Sequence, residues 1–163
     1  MNNTTILHYS ESLVKKAIFS FWWKLTGLRY VIAIIASFTF LFLLNPRSWP
    51  FSVMAAALFF WSLMAIILYV VHYRGTMKRF HAMSDQQAEL SAEDETFTLK
   101  SAIGTSTFKW HIIQEIWQYP EFWLFFYSKA QFNIIPLADL EPQMQEFIQT
   151  KVRDAGGKIQ RIK

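Results

Sequence analysis

Cysteine is missing from this 163-residue chain. Disulfides, thiolate metal sites and cysteine nucleophiles are therefore excluded together. Acidic residues are scarce in the first half: through position 83, Glu11 stands alone against eight lysines and arginines. Charge of either sign is missing from two apolar runs, Tyr30–Leu44 and Phe51–Val71. Their only serine and threonine side chains are Ser37, Thr39, Ser52 and Ser62, too few for the polar stripe of a helix that faces water. Asp, Glu, Lys and Arg inside a membrane segment are the usual mark of an ion path, and their lack here argues against a transporter. The chain also lacks a Gly-rich phosphate loop, a Gly-x-Ser-x-Gly elbow and the pattern of a cleaved secretory signal. Its histidines, His8, His72, His81 and His111, are dispersed without ligand-type spacing. No metal and no cofactor are expected.

What is present reads as a membrane hairpin. Phe51–Val71 would extend roughly 31 Å as a helix, against a hydrocarbon core of about 30 Å. Tyr30–Leu44 would extend only about 22 Å. It spans comfortably if its helix begins near Leu25 and Arg29 snorkels toward the headgroups. The connector Asn45-Pro46-Arg47-Ser48-Trp49-Pro50 carries a single basic residue. Lys15, Lys16, Lys24 and Arg29 precede the first run, and Arg74, Lys78 and Arg79 follow the second. Basic residues stay on the cytoplasmic side, so the expectation is a two-pass protein of the plasma (inner) membrane with both termini cytoplasmic. Trp22, Trp23, Tyr30, Trp49, Tyr69 and Tyr73 mark the borders as an interfacial belt.

The flanks read differently. Thr4–Tyr9 suggests a short strand, and Ser10 a helix N-cap. Leu13, Val14, Ala17, Ile18, Phe21 and Leu25 recur at helical spacing, which predicts an amphipathic helix lying in the interface. Packing of that helix on the polar domain is the alternative. After position 83 the balance reverses to eleven acidic and eight basic residues. A basic surface for nucleic acid is therefore not expected. Alternating segments from Glu95 to Pro136, with turns at Gly104, Pro120 and Ser128-Lys129-Ala130, predict antiparallel hairpins. Asp139 is the expected cap of a closing helix with Pro142 in its first turn and Met144, Phe147, Ile148 and Val152 on its apolar face. Gly156-Gly157 ends it, and the basic tail 158–163 is expected to fray into solvent. The fold class is thus α+β: a transmembrane helical hairpin plus a small antiparallel β-sheet domain closed by a C-terminal helix. The expected division is 1–28, 29–73 and 84–163.

Thr107-Phe108-Lys109-Trp110-His111-Ile112-Ile113-Gln114-Glu115-Ile116 resembles the Trp-x-x-Ile-x-x-Ile-x-Glu segment of YcxB-like membrane proteins. The aromatic strand Phe122–Tyr127, the step Asn133-Ile134-Ile135-Pro136, the Phe147-Ile148 helix and the opening Leu7-His8-Tyr9-Ser10 are similar to that family as well. The chain departs from it after the proline, where Leu137-Ala138-Asp139-Leu140 stands in place of basic and aromatic residues. The resemblance implies a PH-like β-domain on a membrane hairpin. It implies no activity.

The candidate interaction surface is Trp110, Trp117 and Trp123, which could line a groove, although such aromatics more often fill a small core. Ala33 with Ser37 and Ser52 with Ala56 have the spacing that lets membrane helices approach closely. No catalytic residue is expected; Glu115 paired with Glu121, or His111, would be the starting points if there were one. The functional expectation is a membrane-anchored interaction or regulatory module, not an enzyme. Its partners would be the lipid bilayer and either lipid headgroups or another membrane or cytoplasmic protein. The alternatives are a structural subunit forming homo-oligomers through the small residues, and a membrane enzyme.

Overall fold

A computed structural model of the chain describes residues 3–43, 49–83, 85–128 and 131–162, with the side chains of 3, 29, 42 and 43 left aside. The order is β1 (Asn3–His8), α1 (Glu11–Leu43), α2 (Trp49–Ala82), β2 (Gln87–Ala92), β3 (Thr96–Ser101), β4 (Gly104–Lys109), a 3-10 turn (Trp110–Ile112), β5 (Glu115–Gln118), β6 (Phe122–Phe126), β7 (Phe132–Pro136), α3 (Pro142–Asp154) and β8 (Lys158–Arg161). Most of the expected connector, with Arg47 and Ser48, lies outside the described residues, as do Lys129-Ala130 and the side chain of Arg29.

Contacts divide the chain into two units, Met1–Ala17 with Met77–Lys163, and Ile18–Thr76. This corrects the expected division. The N-terminal strand is not a separate segment: β1 pairs antiparallel with β2, from Asn3 opposite Ala92 to His8 opposite Gln87. Backbone N–H and C=O groups need partners, and this pairing supplies them for a strand that has none nearby in sequence.

In the first unit, β1-β2-β3-β4 form one four-stranded sheet and β7-β6-β5-β8 another. All neighbours are antiparallel except β5 and β8. The expectation of hairpins alone, with a frayed tail, therefore fails at the C-terminus. Gly156 adopts φ +86°, which glycine tolerates, and turns the chain so that β8 runs parallel to β5. Lys158 N–H then donates to Gln114 O at 3.0 Å, and Ile162 N–H to Gln118 O at 2.8 Å.

The core is assembled from both sheets and α3. Leu7, Leu90, Phe97, Ile116, Phe125, Ile135, Met144, Ile148 and Val152 belong to one buried cluster. All five positions of β6 are buried. Since side chains alternate across a strand, both of its faces are covered. Trp123 and Phe125 join the cluster. Phe122, Leu124 and Phe126 face the other way, beside Trp117 and Phe132. Val14, Ala17, Met77 and Phe80 are further buried apolar residues of this unit, contributed by the ends of the two long helices. A Lys16–Glu121 ion pair ties the start of α1 to the β5–β6 turn. Buried Val14 and Ala17 favour packing on the domain over an interfacial position for this part of the amphipathic helix. Ser10 caps α1 as expected, its Oγ accepting from Leu13 N–H at 3.2 Å.

Asp139 does not cap α3; Glu141 occupies that position without a side-chain bond, and Pro142 follows. The Asp139 carboxylate instead accepts from His8 N–H at 2.7 Å and lies 3.1 Å from the His8 ring, while its carbonyl accepts from Thr5 Oγ at 2.9 Å. Tyr9 Oη donates to Ile134 O at 2.9 Å. These bonds bridge the outer edge of β1 to β7 and the turn beyond it. Burial first, then the Asp139 charge, raises the Tyr9 phenol well above its ordinary value.

The described residues of the second unit are all helical. Half-buried positions recur every three or four residues, at Trp22, Thr26, Tyr30, Ile34 and Ser37 in α1 and at Leu58, Ser62, Ala65, Tyr69 and His72 in α2. Trp22 Nε1 donates to His72 Nδ1 at 3.0 Å and meets Tyr69 edge-on at 5.8 Å. Gly27, at φ +53°, breaks α1. The piece beyond the break, Tyr30–Leu41, is about 18 Å long and falls short of a bilayer core by itself. Among the described residues one helix, Trp49–Ala82, is long and apolar enough to cross a membrane; the two bent pieces of α1 pass the same measure only together.

Two substitutions read these features. A Cβ on Gly157 would lie 2.6 Å from Val152 Cγ1 and 2.8 Å from Ile113 O. Gly157→Ala is expected to destabilise the β-domain by about 1–3 kcal/mol, the cost of overpacking, seen as a lower thermal midpoint. Tyr9→Phe leaves the Ile134 carbonyl without this partner and should cost about 1 kcal/mol at neutral pH. A phenol whose folded pKa is raised gives stability that is present below about pH 10 and lost above it. Thermal melts across alkaline pH should therefore be flatter in Tyr9→Phe than in the parent.

Candidate functional site

Of the three tryptophans considered as a candidate surface, two are buried and the third is half-buried. Trp110 is 4% exposed and Trp123 3%. Trp110 lies in the 3-10 turn against Phe97 (5.2 Å between rings) and Phe147 (6.3 Å), and its Nε1 donates to Glu93 O at 2.9 Å. Trp123 faces the core from β6. Trp117 is half-buried on the opposite face of that sheet, 4.6 Å from the Phe126 ring. A small domain has little interior volume, and large rings supply most of it, so these residues are spent on packing.

The small residues of the helices are also divided. Ser37 lies on the half-buried stripe of α1, its Oγ donating to Ala33 O at 2.7 Å. Ala33, Ser52 and Ala56 are exposed. Within one chain the helices therefore do not meet through a four-residue small-residue motif. Glu115 and Glu121 flank β5 and the turn after it, and Glu121 is held by Lys16.

A shallow depression of about 380 Å³ was not anticipated. It opens where the β2–β3 turn, the end of β4, the 3-10 turn and the end of α3 converge. Buried Trp110 lies beneath it. Asp94, Glu95, Lys109, His111, Lys151 and Asp154 supply its polar lining. Lys151 Nζ bonds Asp94 Oδ1 at 2.8 Å and sits 5.2 Å from the centre of the Phe147 ring. This bond, and the charge of Lys151, hold the Asp94 carboxyl below the usual carboxylate range. The lining mixes both signs over an aromatic floor, which suits recognition of a polar group. Asp94 and Lys151 are 57 positions apart, so no local pattern announces them. Among the described residues no three His, Asp or Glu side chains converge on a metal position.

Residues 92–152 match the family model described as YcxB-like protein. The match runs from the end of β2 through most of α3; it takes in β3–β7 and leaves out the long helices, β1 and β8. No curated protein and no solved structure matches the chain.

The Asp94–Lys151 contact supplies a pH test. A depressed carboxyl gives stability that is present at neutral pH and lost as pH falls through its folded pKa. Asp94→Asn removes that contribution at neutral pH and flattens the stability loss on acidification. Thermal midpoints at pH 7 and at about pH 3 should differ less in Asp94→Asn than in the parent.

Proposed function

We propose that this YcxB-like protein is a membrane-anchored interaction module: a two-pass anchor holding a PH-like β-domain at the cytoplasmic face. The observation that carries this reading is the β1–β2 ladder. β1 precedes both long helices and β2 follows them, yet the two strands share six paired positions. Strands that pair lie on one side of a bilayer. The chain between them therefore crosses an even number of times, so a crossing by α2 requires a return pass by α1. The break at Gly27 is compatible with that pass, because Ile18–Leu43 extends about 39 Å in total even though neither piece is long.

Composition supports the anchor. The outward faces of the helices display Phe38, Phe40, Phe59, Phe60, Trp61, Ile66 and Ile67. A continuous apolar surface of that kind is suited to lipid rather than to water. Lys15, Lys16, Lys24, Arg74, Lys78 and Arg79 all fall on the helix portions that adjoin the domain in sequence. The positive-inside rule then favours a cytoplasmic domain. Two four-stranded sheets with a helix closing the core support the PH-like description. The Asp94–Lys151 depression is the proposed recognition site for a polar group on a protein or lipid partner. We read the protein as a binding module and not as an enzyme; the Asp94–Lys151 ion pair at the depression supports a site that recognises a charged or polar group.

Topology tests the reading directly. With no native cysteine, Ser48→Cys and Ser128→Cys give single thiols for a membrane-impermeant reagent in intact cells. Labelling at 48 but not at 128, with both reactive in opened membranes, is the expected result. Labelling at 128 in intact cells would place the domain outside and overturn the assignment.

A further inference from the structure

The two sheets of the β-domain have four edge strands, β1, β4, β7 and β8. Exposed edges invite further pairing, and proteins usually guard them with charge, cover or brevity. Three of the four are guarded. The edges of β1 and β7 are bridged through Tyr9, Thr5, His8 and Asp139. β8 is four residues long and carries Lys158 and Arg161. β4 differs. Five of its six residues are exposed, and Gly104-Thr105-Ser106-Thr107 contains neither proline nor charge. Its register with β3 is unbroken from Lys109 opposite Thr96 to Gly104 opposite Ser101, so no bulge turns the edge away.

The hairpin register shows which backbone groups are free for a partner. A two-residue connection closes on the hydrogen-bonded pair Ser101–Gly104. Bonding then alternates, so Ser106 and Phe108 also point their backbone groups at β3. Thr105 and Thr107 direct theirs outward.

We propose that β4 is a homotypic docking edge, at which a second copy of this chain adds its own β4 antiparallel and joins two four-stranded sheets into one. The strand is complementary to itself. With Ser106 opposite its symmetry mate, Thr105 faces Thr107 of the other copy and the two exchange backbone bonds on both sides of the axis. Their side chains lie on one face of the joined sheet, the face on which Thr98 and Thr107 already meet at 2.9 Å across β3 and β4. Lys109, the one charge on the strand, falls opposite Ile103 of the mate, so no like charges are apposed. The turn residue Ile103 is 52% exposed in the single chain and gains an aliphatic neighbour there. A two-fold axis of this kind makes a closed dimer rather than an open chain. This inference is independent of the Asp94–Lys151 reading and does not use it.

The test is cysteine crosslinking of the full-length chain in native membranes. Ser106→Cys places two thiols on the axis, at a non-hydrogen-bonded pair with Cα atoms about 4.5 Å apart, within disulfide range. Mild oxidation should double the mass of most of the protein on a non-reducing gel. Thr98→Cys is the control: three strand spacings, more than about 14 Å, separate its copies, and it should stay monomeric. Adding Thr105→Pro to Ser106→Cys removes an outward N–H while sparing the bonds to β3, and should abolish the crosslink with the circular dichroism spectrum unchanged. Three results would overturn the proposal: Ser106→Cys linking no better than Thr98→Cys, a dimer that survives Thr105→Pro undiminished, or an adduct with a different protein in place of the doubled mass.

Discussion

Pairing between β1 and β2 is the constraint on which the architecture depends. It joins His8 to Gln87 across the whole of both long helices. Closing a flexible loop of ~80 residues costs roughly 4 kcal/mol in chain entropy beyond a constant term. Helices shorten the path, and the ladder recovers free energy through backbone bonds and through Leu7 and Leu90 in the core. Once the ladder forms, the N-terminal strand becomes part of the domain and the helices become an insertion within it. Any membrane crossing between its two strands must be matched by a return.

The β-domain then solves a packing problem with few residues. Its centre is a stack of rings: Phe97 with Phe108 at 5.2 Å, Phe108 with Tyr127 at 4.8 Å, and Phe125 edge-on to Phe97 at 6.0 Å. Offset and edge-to-face arrangements of this kind add to the burial of apolar area. β6 is buried on both sides because the core lies on one face and a second layer of apolar residues on the other. So much aromatic volume goes inward that the surface retains mainly charged and hydroxyl side chains. The two proposed docking sites, the Asp94–Lys151 corner and the edge of β4, are accordingly a shallow depression and a strand edge.

Several elements were legible because their causes are local. Ser10 as an N-cap, Pro142 in the first turn of α3, the Met144-Ile148-Val152 face and the turn at Gly104 each follow from backbone chemistry within a few positions. The aromatic strand Phe122–Phe126 was legible as well. Its faces were not, since a run that is apolar at every position does not reveal what covers each side. For Trp110 and Trp123 the sequence left groove and core both open, and the structure packs them in the core. Asp139 read as a helix cap because that role is common after a turn. The carboxylate turned instead to the His8 amide, 131 positions away.

By itself the sequence determined where charge is tolerated and where it is not, and hence the two apolar runs, the basic flanks and the alternation of the strands. These are consequences of transfer free energy and of side-chain period, which act residue by residue. Only the tertiary structure decided that β1 belongs to the domain, that the tail returns as a strand parallel to β5, which tryptophans are buried, and that Lys151 meets Asp94. Each of those depends on which distant backbone or charge is brought alongside. That choice is made by the satisfaction of hydrogen bonds and volume in the folded whole, and no stretch of neighbouring residues contains it.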